Sequence, residues 1–143
     1  WASRVLDIEV SFRDQVYAFQ ELTLNDAGVS VRAFTFHEII AEKLRALLQQ
    51  PIRNRNRRQD VYDIAYLLDA QEITDEDRKL IHQTLVEKCR TRNIEPTAES
   101  IDNPEIRTRA EREWDTLALE IGELPPFDER FALVRELYAS LPW

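Results

Sequence analysis

The stretch Glu38–Ile64, "EIIAEKLRALLQQPIRNRNRRQDVYDI", decides how the rest of the chain is read. It opens as an amphipathic helix, yet Lys43 lies within its apolar stripe. Arg53, Arg55, Arg57 and Arg58 follow, and the helical pattern restarts with Asp60 and Asp63. At about 100° per residue, Phe36, Ile39, Ile40 and Leu47 surround Lys43 on a helical wheel. The lysine either snorkels, with its stem packed and its ammonium at the rim, or points into a cleft and holds an anion. Asp60 falls at the edge of the second apolar stripe, between Ile64 and Leu67, and Asp63 falls further toward the polar side. Acids in a first turn also suit capping and the helix dipole. The short connection makes the two helices antiparallel neighbours, so Lys43 can face Asp60. Such a pair is a structural explanation as well as a functional one.

Downstream of this stretch the apolar period stays helical. The first helix opens at Thr35 or His37 and ends before Pro51, and the second spans Arg58 to Ala70. A third starts after Thr74, a plausible N-cap followed by acids, and runs to about Arg90. After the connector "RNIEPTAESIDNP", Pro104 suits the first turn of a fourth helix that runs to Gly122. That helix buries Ile106, Ala110, Trp114, Leu117 and Ile121. A fifth follows "ELPPF" and carries Phe127, Phe131, Val134, Leu137 and Tyr138.

Upstream the period is two. Leu6, Ile8, Val10 and Phe12 alternate with Asp7, Glu9, Ser11 and Arg13, as in a half-buried strand. "VYAFQELTL" and "VSVRAF" read as two further strands across the turn "NDAG". The expected class is therefore α+β: short antiparallel strands followed by a bundle of about five helices. Residues 1–35 form the β segment, and 36–143 form a helical domain.

The 143 residues suit one domain or part of a larger one. The chain has no methionine and starts with tryptophan, so further N-terminal sequence is expected. A net charge of −8 argues against nucleic-acid binding through the whole surface. A local basic patch is still available in the four clustered arginines, with Lys43 and Arg45 upstream. No signal peptide and no run of about 18 apolar residues is present, and a single cysteine, Cys89, fits a reducing cytoplasm. Glu9 and Asp7, two apart on a strand, can share a divalent metal, although an exposed sheet face explains them equally. His37 and His82 read as helix-surface residues, and the tryptophans as core. GxSxG, Walker, HExxH and CxxC motifs are absent.

The segment "FTFHEIIAEKLRALLQQPIRNRNRRQDVYDIAYLL" resembles the C-terminal motif region of AbiEii/AbiGii-type nucleotidyltransferase toxins, members of the DNA polymerase β-like nucleotidyltransferase superfamily. Glu38, Ala41, Lys43 and Ala46 match an E-x-x-A-x-K-x-x-A helix, and Asp60, Tyr62 and Asp63 match the R-D-x-x-D part that follows an arginine loop. Gln59 departs from the pattern, which often has arginine there; Arg58 is the nearest substitute. "LDIEVSFRD" resembles the preceding strand, with Glu9 the best match to the third active-site carboxylate and Asp7 the nearby alternative. The superfamily's Gly-Ser helix start and Asp-x-Asp strand are missing, so the resemblance is to a C-terminal portion that should be inactive by itself.

What the resemblance implies is transfer of a nucleotide from an NTP, with Mg²⁺, to an acceptor such as tRNA, in a cytoplasmic type IV toxin–antitoxin or phage-defence system. It implies that Lys43 contacts nucleotide phosphates, Asp60 orders the site and Glu9 completes the carboxylates and binds metal. It also implies that Arg53, Arg57 and Arg58 hold triphosphate or RNA, while Glu38 and Asp63 support the site from behind. A cognate antitoxin is the implied partner. The rival reading is a noncatalytic helical module that binds a protein or nucleic acid through the arginine loop.

Overall fold

Apolar residues at helical spacing over residues 36–141 determine the architecture. The computed structural model describes residues 21–24, 29–32 and 35–143, with side chains from residue 35 onward. Thr35 is extended, and its hydroxyl accepts the Glu38 N–H at 3.2 Å, which starts α1, Phe36–Leu48. A short helix, α2 (Gln50–Arg53), follows directly. Pro51 stands in its first turn, where no helical N–H is missed, and Asn54 closes it in the left-handed conformation (φ 52°). The chain continues through α3 (Arg58–Ala70) to α4 (Asp75–Arg90). Thr74 and Asp77 form a reciprocal capping box at the start of α4, with bonds of 3.1 and 2.9 Å. After a 3₁₀ turn at Ser100–Asp102 come α5 (Pro104–Glu111), α6 (Ala118–Ile121) and α7 (Phe127–Ala139).

Helix α1 packs on α4, α3 and α5, and α3 also packs on α7 and α5. Ile40, Leu44 and Leu47 of α1 are fully buried, as are Val61 and Ile64 of α3, Ile81 and Leu85 of α4, and Val134 and Tyr138 of α7. The Tyr138 hydroxyl donates to the Thr97 carbonyl at 2.5 Å, which ties the connector to α7.

The expected α+β class is corrected. The described body is a helical bundle of seven α-helices, rather than a sheet followed by about five. Among the described residues the strands are β1 (Glu21–Leu24) and β2 (Val29–Arg32), paired antiparallel within the two segments read as strands on either side of "NDAG"; they make a local ribbon and not a sheet layer. The strand expected over residues 5–12 lies outside the described residues. The physical reason for the correction is that, among the described residues, the buried apolar side chains come from the helices, the segments between them and Leu141 just after α7.

The fourth expected helix is also corrected. It does not run from Pro104 to Gly122, because Glu113 adopts the left-handed conformation (φ 60°) and splits it into α5, a 3₁₀ turn at Trp114–Leu117 and α6. Burial of Trp114 accompanies the break: its indole N–H donates to the Pro125 carbonyl at 3.0 Å, and its ring meets Phe127 edge-on at 5.3 Å. Because a left-handed L-residue is strained by roughly 1–2 kcal/mol, Glu113→Gly is expected to raise the urea-unfolding free energy by about 1 kcal/mol. A continuous helix would instead be weakened by the glycine.

Candidate functional site

Lys43 stands in the third turn of α1, and Asp60 and Asp63 are one turn apart at the start of α3. An i, i+3 pair shares one helix face, and here that face meets α1. Lys43 Nζ lies 3.1 Å from Asp60 Oδ1 and 3.0 Å from Asp63 Oδ2. Arg57 Nε donates to Asp60 Oδ2 at 2.6 Å, and Gln59 Nε2 donates to Asp63 Oδ1 at 2.9 Å. Each carboxylate oxygen of the pair thus has a donor. The Asp60 and Asp63 side chains are only 4% and 2% exposed, whereas Lys43 keeps 16%, so the cluster is open on the lysine side.

Two expectations change here. Asp63 was expected toward the polar side of its helix but is buried, because the face it shares with Asp60 is covered by α1. Burial pushes its carboxyl above the ordinary aspartate value, and the Asp60 charge adds to this, against the opposing pull of Lys43 and Gln59. Arg45 does not belong to the basic patch. It is buried, with bonds to Glu42 and Gln49 along α1.

The arginines divide. Arg57 reaches the cluster, while Arg53 is exposed at the end of α2. Arg58 stands in the first turn of α3, its Nε buried with no hydrogen-bond partner. Glu38 is in the first turn of α1, and no ion pair joins it to the cluster among the described residues. Glu9 and its alternative Asp7 lie outside the described residues. Among the described residues no group of three or more His, Cys, Asp or Glu side chains is arranged to hold a metal ion. Asp60 and Asp63 already face cationic and amide donors, so this cluster by itself does not fit Mg²⁺.

Several residues with roles here carry no sequence signal. Gln59 supplies an amide donor to Asp63 where the resembling pattern often has arginine. His37, expected on the helix surface, is partly buried and hydrogen-bonds Asp77 at 2.7 Å, which links α1 to the α4 cap. Gln50, wholly buried, donates to the Ile106 carbonyl at 2.9 Å and accepts the Arg57 N–H at 2.8 Å. A glutamine before a proline reads as loop; only the packing of α2 on α5 places it inside.

Fold and cluster together define an α-helical domain with a buried lysine–aspartate site beside an arginine loop. A family model described as the nucleotidyl transferase AbiEii toxin of type IV toxin–antitoxin systems matches residues 2–133, and the chain belongs to that family. No curated protein and no solved structure matches it. The family gives the chain an antitoxin partner. No helix among the described residues is long and apolar enough to cross a membrane.

The raised Asp63 value fixes the sign of one pH dependence. With its folded value above its unfolded one, the folded state binds this proton more tightly. That contribution is fully present below the ordinary aspartate value and is lost as pH rises through the raised one. Asp63→Asn removes it. Urea unfolding between pH 4 and 7 is expected to show wild-type stability falling relative to Asp63→Asn as pH increases. A difference that stays flat or grows with pH contradicts the burial argument.

Proposed function

We propose that these residues supply the lysine–aspartate half of a nucleotidyltransferase site, which transfers a nucleotide from an NTP to an RNA acceptor, with tRNA the expected one. The observation that carries the reading is the position of the Lys43 ammonium, held between two buried carboxylates at 3.1 and 3.0 Å. A lysine held this way is aimed, and an ammonium so placed suits a phosphate oxygen. Asp60 orients both Lys43 and Arg57, and Asp63 shares the lysine from behind. Arg53 and Arg58, which have no ion pair among the described residues, suit triphosphate or RNA backbone; Arg57 is committed to Asp60.

Mg²⁺ enters the proposal only through Glu9 and carboxylates outside this cluster. Glu38 is proposed as a support at the start of α1. Since residues 1–143 contain no Gly-Ser step, and their Asp-x-Asp spacing at Asp75–Asp77 opens helix α4 and not a strand, transfer is proposed for the protein that carries the superfamily's motifs and not for these residues alone. A cytoplasmic setting and a phage-defence role belong to the same proposal.

A second reading is favoured by burial: the cluster is a clip between α1 and α3 with no chemistry. Replacing a buried ion pair by apolar packing is often neutral or stabilising. Lys43→Ala, Lys43→Met and Asp60→Ala in the complete toxin separate the two. The transferase reading predicts loss of Mg²⁺-dependent labelling of tRNA by NTP of at least about 10²-fold in all three, and loss of toxicity, with Lys43→Met still folded. Transfer retained by Lys43→Met leaves only the clip.

A further inference from the structure

Gln50 is fully buried where α2, α5 and the arginine loop meet. Its Nε2 donates to the Ile106 carbonyl at 2.9 Å and to the Leu47 carbonyl at 3.2 Å, while its Oε1 accepts the Arg57 N–H at 2.8 Å. Reversing the amide would set a donor against the Arg57 N–H and an acceptor against two carbonyls. The orientation is therefore fixed by its surroundings. The same loop is held elsewhere. Arg55 N–H donates to the Gln50 carbonyl at 3.0 Å, and Arg109 Nη1 donates to Asn54 Oδ1 at 3.0 Å. Residues 54–57 are thus anchored on α2 and α5 at the place where the Arg57 side chain leaves for Asp60.

We infer that Gln50 is a positioning residue of the candidate site. It fixes the Arg57 backbone, the Arg57 guanidinium then holds one oxygen of Asp60, and the other oxygen of Asp60 faces Lys43. Gln50 touches no reacting group in this scheme and acts entirely through Arg57. The inference rests on the transferase reading above. The competing role for a buried glutamine is plain adhesion between α2 and α5, which would affect folding alike whether or not Arg57 is present.

A double-mutant cycle separates these roles. Gln50→Met, Arg57→Ala and the double variant are made in the complete toxin and assayed for transfer of labelled NTP to a tRNA pool with Mg²⁺, with circular dichroism as the fold control. Gln50→Met is expected to lower kcat roughly tenfold in the parent, as loss of a supporting hydrogen bond does at other sites. In the Arg57→Ala background the further loss is expected to stay under about twofold. Equal losses in both backgrounds, or no loss in the parent, overturn the inference.

If Gln50→Met does not fold, Arg109→Ala loosens the same loop from its more exposed side and enters the same cycle with the same two outcomes. Lys43→Ala is assayed alongside. If it keeps transfer activity, the assignment of the transferase site to Lys43 has failed. The Gln50–Arg57 coupling is then read from urea unfolding, where additive effects overturn the positioning role and non-additive ones support it.

Discussion

The seam between α1 and α3 depends on one constraint: two carboxylates buried within a turn of each other need cations. Asp60 and Asp63 share a helix face, and packing of that face on α1 removes both from water. Bringing two like charges together in a poorly solvated place is strongly unfavourable unless cations meet them. Lys43 meets both, Arg57 meets Asp60, and Gln59 serves the remaining oxygen of Asp63. The register of α1 against α3 is therefore tied to chemistry as well as to apolar packing. A slip of one turn would set apolar residues of α1 opposite the carboxylates and leave both unmatched.

The arginine loop is part of the same constraint. Arg57 reaches Asp60 because Gln50 and Arg109 hold the loop on the α2 and α5 side. A structural link thus runs from α5, through two side-chain amides and a backbone N–H, to the carboxylate beside Lys43. Arg53 and Arg55, both exposed, lie outside this link. Membership of the AbiEii toxin family gives the chain an antitoxin partner.

Some of this was legible in the residues. A lysine inside an apolar stripe is a visible anomaly, and a short connection between two amphipathic helices makes the Lys43–Asp60 meeting predictable. Thr74 as a cap and the end of the first helix before Pro51 are local features and are read locally. The burial of Asp63 was not legible, because the width of the covered face depends on how closely α1 approaches. The break at Glu113 was missed for a related reason: the apolar period continues through it, and the packing of Trp114 on Phe127 accompanies a left-handed turn that no propensity would suggest.

The sequence alone determined the helical run from Phe36 onward, most of the caps, the charge anomaly at Lys43 and the motif that carries the family resemblance. These depend on spacing of a few residues, where the physics is local. Tertiary structure decided that the described body is a seven-helix bundle and not a sheet with helices. It also buried Arg45, Gln50 and Asp63, bound Arg57 to Asp60, left Arg53 and Arg55 exposed and partly buried Arg58. A polar side chain's burial and partners are set by the surface that arrives opposite it, from residues up to 56 positions away in the case of Gln50 and Ile106.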